Sequence, residues 1–199
     1  MKKALRLFTV LLCAVIAVNL LHTEAMLEEV EHSVIRLHIL ANSDSTADQT
    51  QKLLVRDALV SRSGEWIPEG ATWSEGCGAL REKLPEIRQA AEETLRAAGC
   101  TDSVQVSFGE AAFPERQYAD LTLPAGNYQA LRVEIGTGQG QNWWCVMYPA
   151  LCLPAAETDA VMAAHFDRGV LELVGQPEKY EIRLKCVELW RAVVKKLRF

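Results

Sequence analysis

The sequence predicts an α+β fold: an antiparallel sheet of about four strands with helices packed against it, behind an N-terminal apolar segment. Three observations lead there. Val104, Val106 and Phe108 alternate with Gln105 and Ser107, and Leu131, Val133 and Ile135 alternate with Arg132 and Glu134. That two-residue period puts one face of each strand in a core. Val34 to Leu40 is apolar and β-branched almost throughout, the composition of a buried strand. Apolar residues also recur at three- and four-residue steps, as Leu80, Leu84, Ile87, Ala91, Leu95 and Ala98, and again as Cys186, Val187, Trp190, Val194 and Leu197, which marks helices.

At the start, Lys2, Lys3 and Arg6 precede an apolar run from Leu7 to Leu21 interrupted only by Thr9 and Asn19. A basic start, an apolar core of about fifteen residues and a small residue, Ala25, at its end read as a signal peptide over 1–25, with an uncleaved membrane anchor as the alternative. Residues 26–199 are long enough for one domain with its own core.

Val34 to Leu40 is the first strand. Ala41-Asn42-Ser43-Asp44 breaks it, and Ser45 stands three residues before Asp48, the spacing of a capping box in which each side chain serves a free backbone N–H. Leu54, Val55, Ala58, Leu59 and Ser61 continue as a helical stripe. Gly64, Pro68 and Gly70 punctuate a loop to Ser74. The helix from 74 to 98 contains Pro85, which kinks or splits it, and Gly99 ends it. Residues 114–124 read as irregular, 142–148 as another strand, and 159–165 as a short helix. In the final helix Lys185, Glu188, Arg191, Lys195 and Lys196 lie opposite the apolar stripe.

The net charge of −5 excludes the electrostatic footprint of a nucleic-acid binder. Removing residues 1–25, which hold three basic residues and one acidic, makes the remainder more acidic still. Gly136-Thr137-Gly138-Gln139-Gly140 superficially suggests a phosphate loop. A dinucleotide site needs a third glycine where Gln141 stands and a helix next, so a hairpin loop is the better reading.

The residue types of a metal or acid–base site occur at His38, Asp44, Asp48 and Asp57, but the spacing matches no ligand motif, and Asp48 and Asp57 point to opposite sides of a helix. Turn and cap hydrogen bonding is the preferred account. His38, Asn42, Ser43, Asp44, Asp48, Arg56 and Asp57 nonetheless form a polar patch between two rigid elements, a natural recognition surface. Trp143 and Trp144 are adjacent in a strand and must face opposite sides of the sheet, so one can be core while the other lies beneath a helix or is exposed as a partner anchor; burial of both in a two-sided sheet is the alternative. Five cysteines follow the apolar segment, and Cys145 and Cys152, which bracket a turn containing Pro149, are the candidate disulfide pair. No cofactor and no metal are expected.

Two stretches carry a family resemblance: RLHILANSDSTADQ followed by KLLVRDA, and NWWCVMYPALC preceded by PAGNY and the glycine loop. Together they resemble the stage II sporulation protein R family, over roughly Val34 to Leu153; the pattern departs at Gln51, where an apolar residue is expected. The resemblance implies a secreted signalling protein of endospore formation and not an enzyme. It would be made in the forespore and exported to the space between forespore and mother-cell membranes. Its implied partner is the membrane-embedded aspartic protease stage II sporulation protein GA, which removes the pro-sequence of sigma factor E. The alternative is an extracytoplasmic hydrolase using the His38/Asp44/Asp48 turn.

Overall fold

The computed structural model describes residues 2–118, 121–149 and 166–197. The chain divides into two compact units. The larger comprises 31–114 and 125–165, and is an α+β layer built on a four-stranded sheet.

Its first strand, β1 (Ile35–Leu40), is buried at all six positions. Helix α2 (Thr46–Ser61) follows, then α3 (Ser63–Trp66), a short turn inside the stretch expected as loop. The expected long helix is split as its proline requires, into α4 (Trp73–Glu82) and α5 (Leu84–Ala97), with Pro85 in the first turn of the second piece. Thr72 and Glu75 form a reciprocal capping box on α4, and Gly99, at a φ of 76°, ends α5. Strand β2 (Val104–Phe113) runs five residues beyond the expected alternation.

Two short strands, β3 (Arg116–Tyr118) and β4 (Leu121–Leu123), pair antiparallel where irregular chain was expected, and belong to the smaller unit. The sheet resumes with β5 (Gly126–Ile135) and β6 (Asn142–Tyr148).

The sheet order is β2-β5-β1-β6. β5 pairs antiparallel with β2 and β1 antiparallel with β6, but β1 and β5 are parallel. The expectation of an antiparallel sheet is corrected to a mixed one, and the expected β5–β6 hairpin with it. A strand buried at every position, as β1 is, is most stable inside the sheet, where both backbone edges are also paired. β1 takes that place and separates β5 from β6.

On one face, Ile35, Leu37, Ile39, Leu131, Val133, Ile135, Val104, Cys145 and Met147 join Val55, Leu59, Trp66, Leu80, Ile87, Ala91 and Leu95 of the helices in one core. Cys145 is in a disulfide. Cys152, its expected partner, lies outside the described residues, as do 159–165, expected as helical. Cys77 and Cys100 are free, buried thiols whose pKa burial raises, the condition of inert cysteine.

The smaller unit comprises 1–30, 115–124 and 166–199. Helix α1 (Lys2–Glu31) is 30 residues long, long and apolar enough to cross a membrane, and the apolar window in it is wholly exposed. Burial begins near Thr23 and continues at Met26, Leu27 and Val30. Helix α6 (Arg168–Gly175), capped by Asp167, packs on β4. A 3₁₀ turn (Pro177–Lys179) leads to α7 (Glu181–Leu197). The docked face of α7 is Leu184 and Val187, while Cys186, Trp190 and Leu197, expected beside Val187, are exposed.

Candidate recognition site

The polar turn and the glycine loop, far apart in sequence, are one structure. Because β1 lies between β5 and β6, residues 136–141 must cross the end of β1 just where 41–44 leave it. The crossing is close. The Asn42 side-chain oxygen accepts from the Thr137 N–H at 3.0 Å, and the Thr137 hydroxyl donates to the Asn42 carbonyl at 2.8 Å. Gly140 N–H donates to the Ala41 carbonyl at 2.8 Å, and Gln141 N–H to the Asp44 carboxylate at 2.7 Å.

Two glycines permit this approach. A Cβ on Gly136, whose φ is 59°, would sit 2.3 Å from Asn42 Oδ1, and one on Gly140 would sit 2.3 Å from the Ser43 carbonyl oxygen.

Inside the turn, Ser45 caps α2 by accepting from the Asp48 N–H at 3.1 Å. The return half of the expected capping box is rerouted. Asp48 accepts from the Ser43 hydroxyl at 2.5 Å and the Asn42 amide at 3.2 Å, and Ser43 Oγ accepts from the Ser45 N–H at 3.1 Å. The Ser43 hydroxyl holds the Asp48 carboxyl below its ordinary range.

Lys52, which the sequence reading passed over, completes the junction. It is 4% exposed, and its ammonium donates to the Gln49 side chain at 2.6 Å and the Gln141 carbonyl at 2.9 Å. Burial pushes its pKa down, with nearby Asp44 opposing. Its position in register with Val55 and Leu59 was the available signal, since a lysine on the apolar stripe is led inward.

The two tryptophans take opposite faces, as strand alternation requires, and both are half-buried. Trp143 joins the helix side, with the Arg56 guanidinium 4.3 Å over its ring and Arg56 bonded to Asp57 at 2.8 Å through Nε. Trp144 lies on the other face, stacked on His38 at 4.2 Å between centroids and meeting Phe113 edge-on at 5.0 Å. Burial lowers the His38 pKa, partly offset by a side-chain bond to Asn142.

That face continues with Arg36, fully buried, its guanidinium 4.4 Å over Phe113 and 4.9 Å over Tyr128. Arg36 was also missed, although a single arginine in an apolar strand is an invitation to look for aromatic partners.

The candidate residues thus fall into four groups around one end of the sheet: Asn42–Ser43–Asp48, Asp44 with Gln141, Arg56–Asp57–Trp143, and His38–Trp144. Asp44 and Asp48 are committed to backbone and cap hydrogen bonds, while His38 is held in the aromatic stack. Among the described residues no cluster of His, Cys, Asp and Glu side chains could hold a metal ion.

Comparison with known proteins comes from two directions. The family model for Stage II sporulation protein R matches residues 31–158. The Stage II sporulation protein R of Bacillus subtilis (strain 168) is 42% identical over 118 residues, covering 59% of this chain and 53% of that protein. The aligned part therefore spans about half the length of that relative. No solved structure matches.

Proposed function

The chain belongs to the stage II sporulation protein R family, and we propose that it acts as an exported signal between the compartments of a sporulating cell. In this reading it is placed between the forespore and mother-cell membranes, where it activates the membrane-embedded aspartic protease stage II sporulation protein GA. That protease in turn processes the precursor of sigma factor E. The action is that of a ligand: it binds one state of a membrane partner better than the other and shifts the balance toward it.

The observation that carries this reading is the junction itself. Both stretches of family resemblance converge on one end of the sheet, where the turn and the glycine loop lock together beneath Trp143 and Trp144. A rigid polar rim flanked by two half-buried indoles suits recognition, because little ordering entropy is lost on binding and tryptophan supplies large contact area.

The hydrolase alternative has less support, since its three residues are engaged separately: Asp44 with a backbone amide, Asp48 with a helix cap and His38 with Trp144. N-terminal export or anchoring fits an apolar helix whose first turns expose Leu5, Leu7 and Phe8.

The test is precursor processing in sporulating cells that lack this chain and are complemented with it. Restored processing supports the reading. A complemented strain that sporulates without restored processing would replace it with another sporulation role.

A further inference from the structure

Helix α7 carries a second apolar face that is left uncovered among the described residues. Leu184 and Val187 are buried, yet Ile182, Leu189 and Trp190 are 80%, 67% and 62% exposed, and Val193 and Leu197 are exposed with them. Ile182, Cys186, Leu189, Val193 and Leu197 follow one another at steps of four, three, four and four residues, so they form one stripe along the whole helix. A stripe of this length is costly in water and calls for an occupant.

Three observations identify that occupant as a lipid surface. First, α7 lies against the lower part of the apolar α1. Arg191 donates to Glu24 at 2.7 Å, and Val187 and Trp190 share an apolar groove of about 280 Å³ with Ala17, Leu20, Leu21 and Glu24. Just above that level α1 exposes apolar side chains all round, at a length and hydropathy that suit a membrane. Trp190 therefore sits where the apolar part of α1 ends, the depth at which indole prefers the boundary between lipid and water.

Second, the exposed apolar stripe runs the length of α7, from Ile182 to Leu197, the pattern of a helix that lies flat in a lipid–water boundary. Third, residues 181–197 hold five Lys and Arg against two Glu, in a chain of net charge −5 overall. That local excess is complementary to anionic headgroups.

We propose that α7 is an interfacial helix lying on an anionic membrane at the foot of α1, with Ile182, Leu189, Trp190, Val193 and Leu197 inserted. The effect is to fix the smaller unit to the bilayer at two points, a spanning segment and a surface helix. This requires α1 to be in lipid, and is independent of which protein the chain signals to.

The experiment reconstitutes the full chain in vesicles of phosphatidylglycerol and phosphatidylcholine that contain lipids brominated near the headgroup. Tryptophan fluorescence is compared between wild type and Trp190→Phe. A water-soluble maleimide reports separately on Cys13 in α1, which is protected only where α1 has entered lipid.

With Cys13 protected, the wild type is expected to show a quenched component that Trp190→Phe loses. The double variant Leu189→Glu, Val193→Glu, changed only at exposed positions, is expected to lose at least half of that quenching while Cys13 stays protected. Protected Cys13 with an unquenched Trp190 overturns the proposal. So does crosslinking of Cys186 between chains with no quenching, which would give the stripe to a second copy. Labelling of Cys13 at the rate of a free thiol also overturns it, because α7 then has no membrane at its foot.

Discussion

The polar turn at 41–48 and the tryptophan pair lie at the same end of the sheet and use their side chains in opposite ways. In the turn, Asn42, Ser43, Asp44 and Asp48 satisfy one another, the start of α2 and the loop from β5 to β6. Their polarity is consumed in holding a crossing that the central placement of β1 makes unavoidable. Trp143 and Trp144 each rest one surface on a neighbour, Arg56 or His38, and remain partly open. The charges of the turn are therefore spent on structure, while the two indoles keep open surface.

The sharpest break of that contrast is at Gly140. Even one methyl group there meets the Ser43 backbone, which cannot move without undoing the junction. Gly140→Ala should cost about 3 kcal/mol in denaturant unfolding. Gly109→Ala, with nothing within 4 Å of the added carbon, should change stability by less than about 1 kcal/mol. Equal effects would mean the crossing is loose.

Next in size is Asp44→Ala, which strands the Gln141 N–H and should cost about 1 kcal/mol in the same measurement.

Acidification separates the two regions by titration. The His38 pKa lies below the ordinary histidine value of 6.5, so the unfolded chain takes up that proton first. Stability should be full above about pH 6.5 and fall as pH drops toward the folded value. Asp48, also lowered, contributes stability present above the ordinary carboxylate value of 3.8 and lost as pH falls through its folded pKa. Thermal unfolding of His38→Gln should therefore lack part of the first loss and keep the second, and Asp48→Asn the reverse. Unchanged profiles in both variants would remove these groups from the account.

Smallest of all is Asp57→Asn. The Arg56–Asp57 pair is partly exposed, and its loss should stay within about 0.5 kcal/mol while the Arg56–Trp143 contact persists.

Much of this was legible in the chain. Alternation at 104–108 and 131–135 marked two strands, the apolar and β-branched residues around Arg36 and His38 marked β1, and Pro85 and Gly99 marked where helices divide and end. What stayed hidden was pairing. Local periodicity shows that β5 and β6 are strands, but their order depends on which strand most needs the centre, a competition decided over the whole sheet. The hairpin reading of 136–140 failed for that reason. In α7 the periodicity gave a helix but assigned Trp190 to the docked face, because a helix with two apolar stripes does not say which one is covered. Arg36 and Lys52 escaped because charged residues are usually read as solvent-facing, and their aromatic and carbonyl partners come from distant segments.

The central claim is that the tryptophan-flanked end of the sheet serves recognition beyond its part in stability. Its most direct test is Trp144→Leu, which keeps an apolar side chain against His38 and Phe113 but loses two ring contacts, and should cost about 2 kcal/mol. The variant is expressed at the normal level in sporulating cells, its unfolding is measured on purified protein, and processing of the sigma factor E precursor is followed in the same strain. The account predicts a folded, exported protein and a processing defect of tenfold or more. A folded, exported variant that supports normal processing would contradict it.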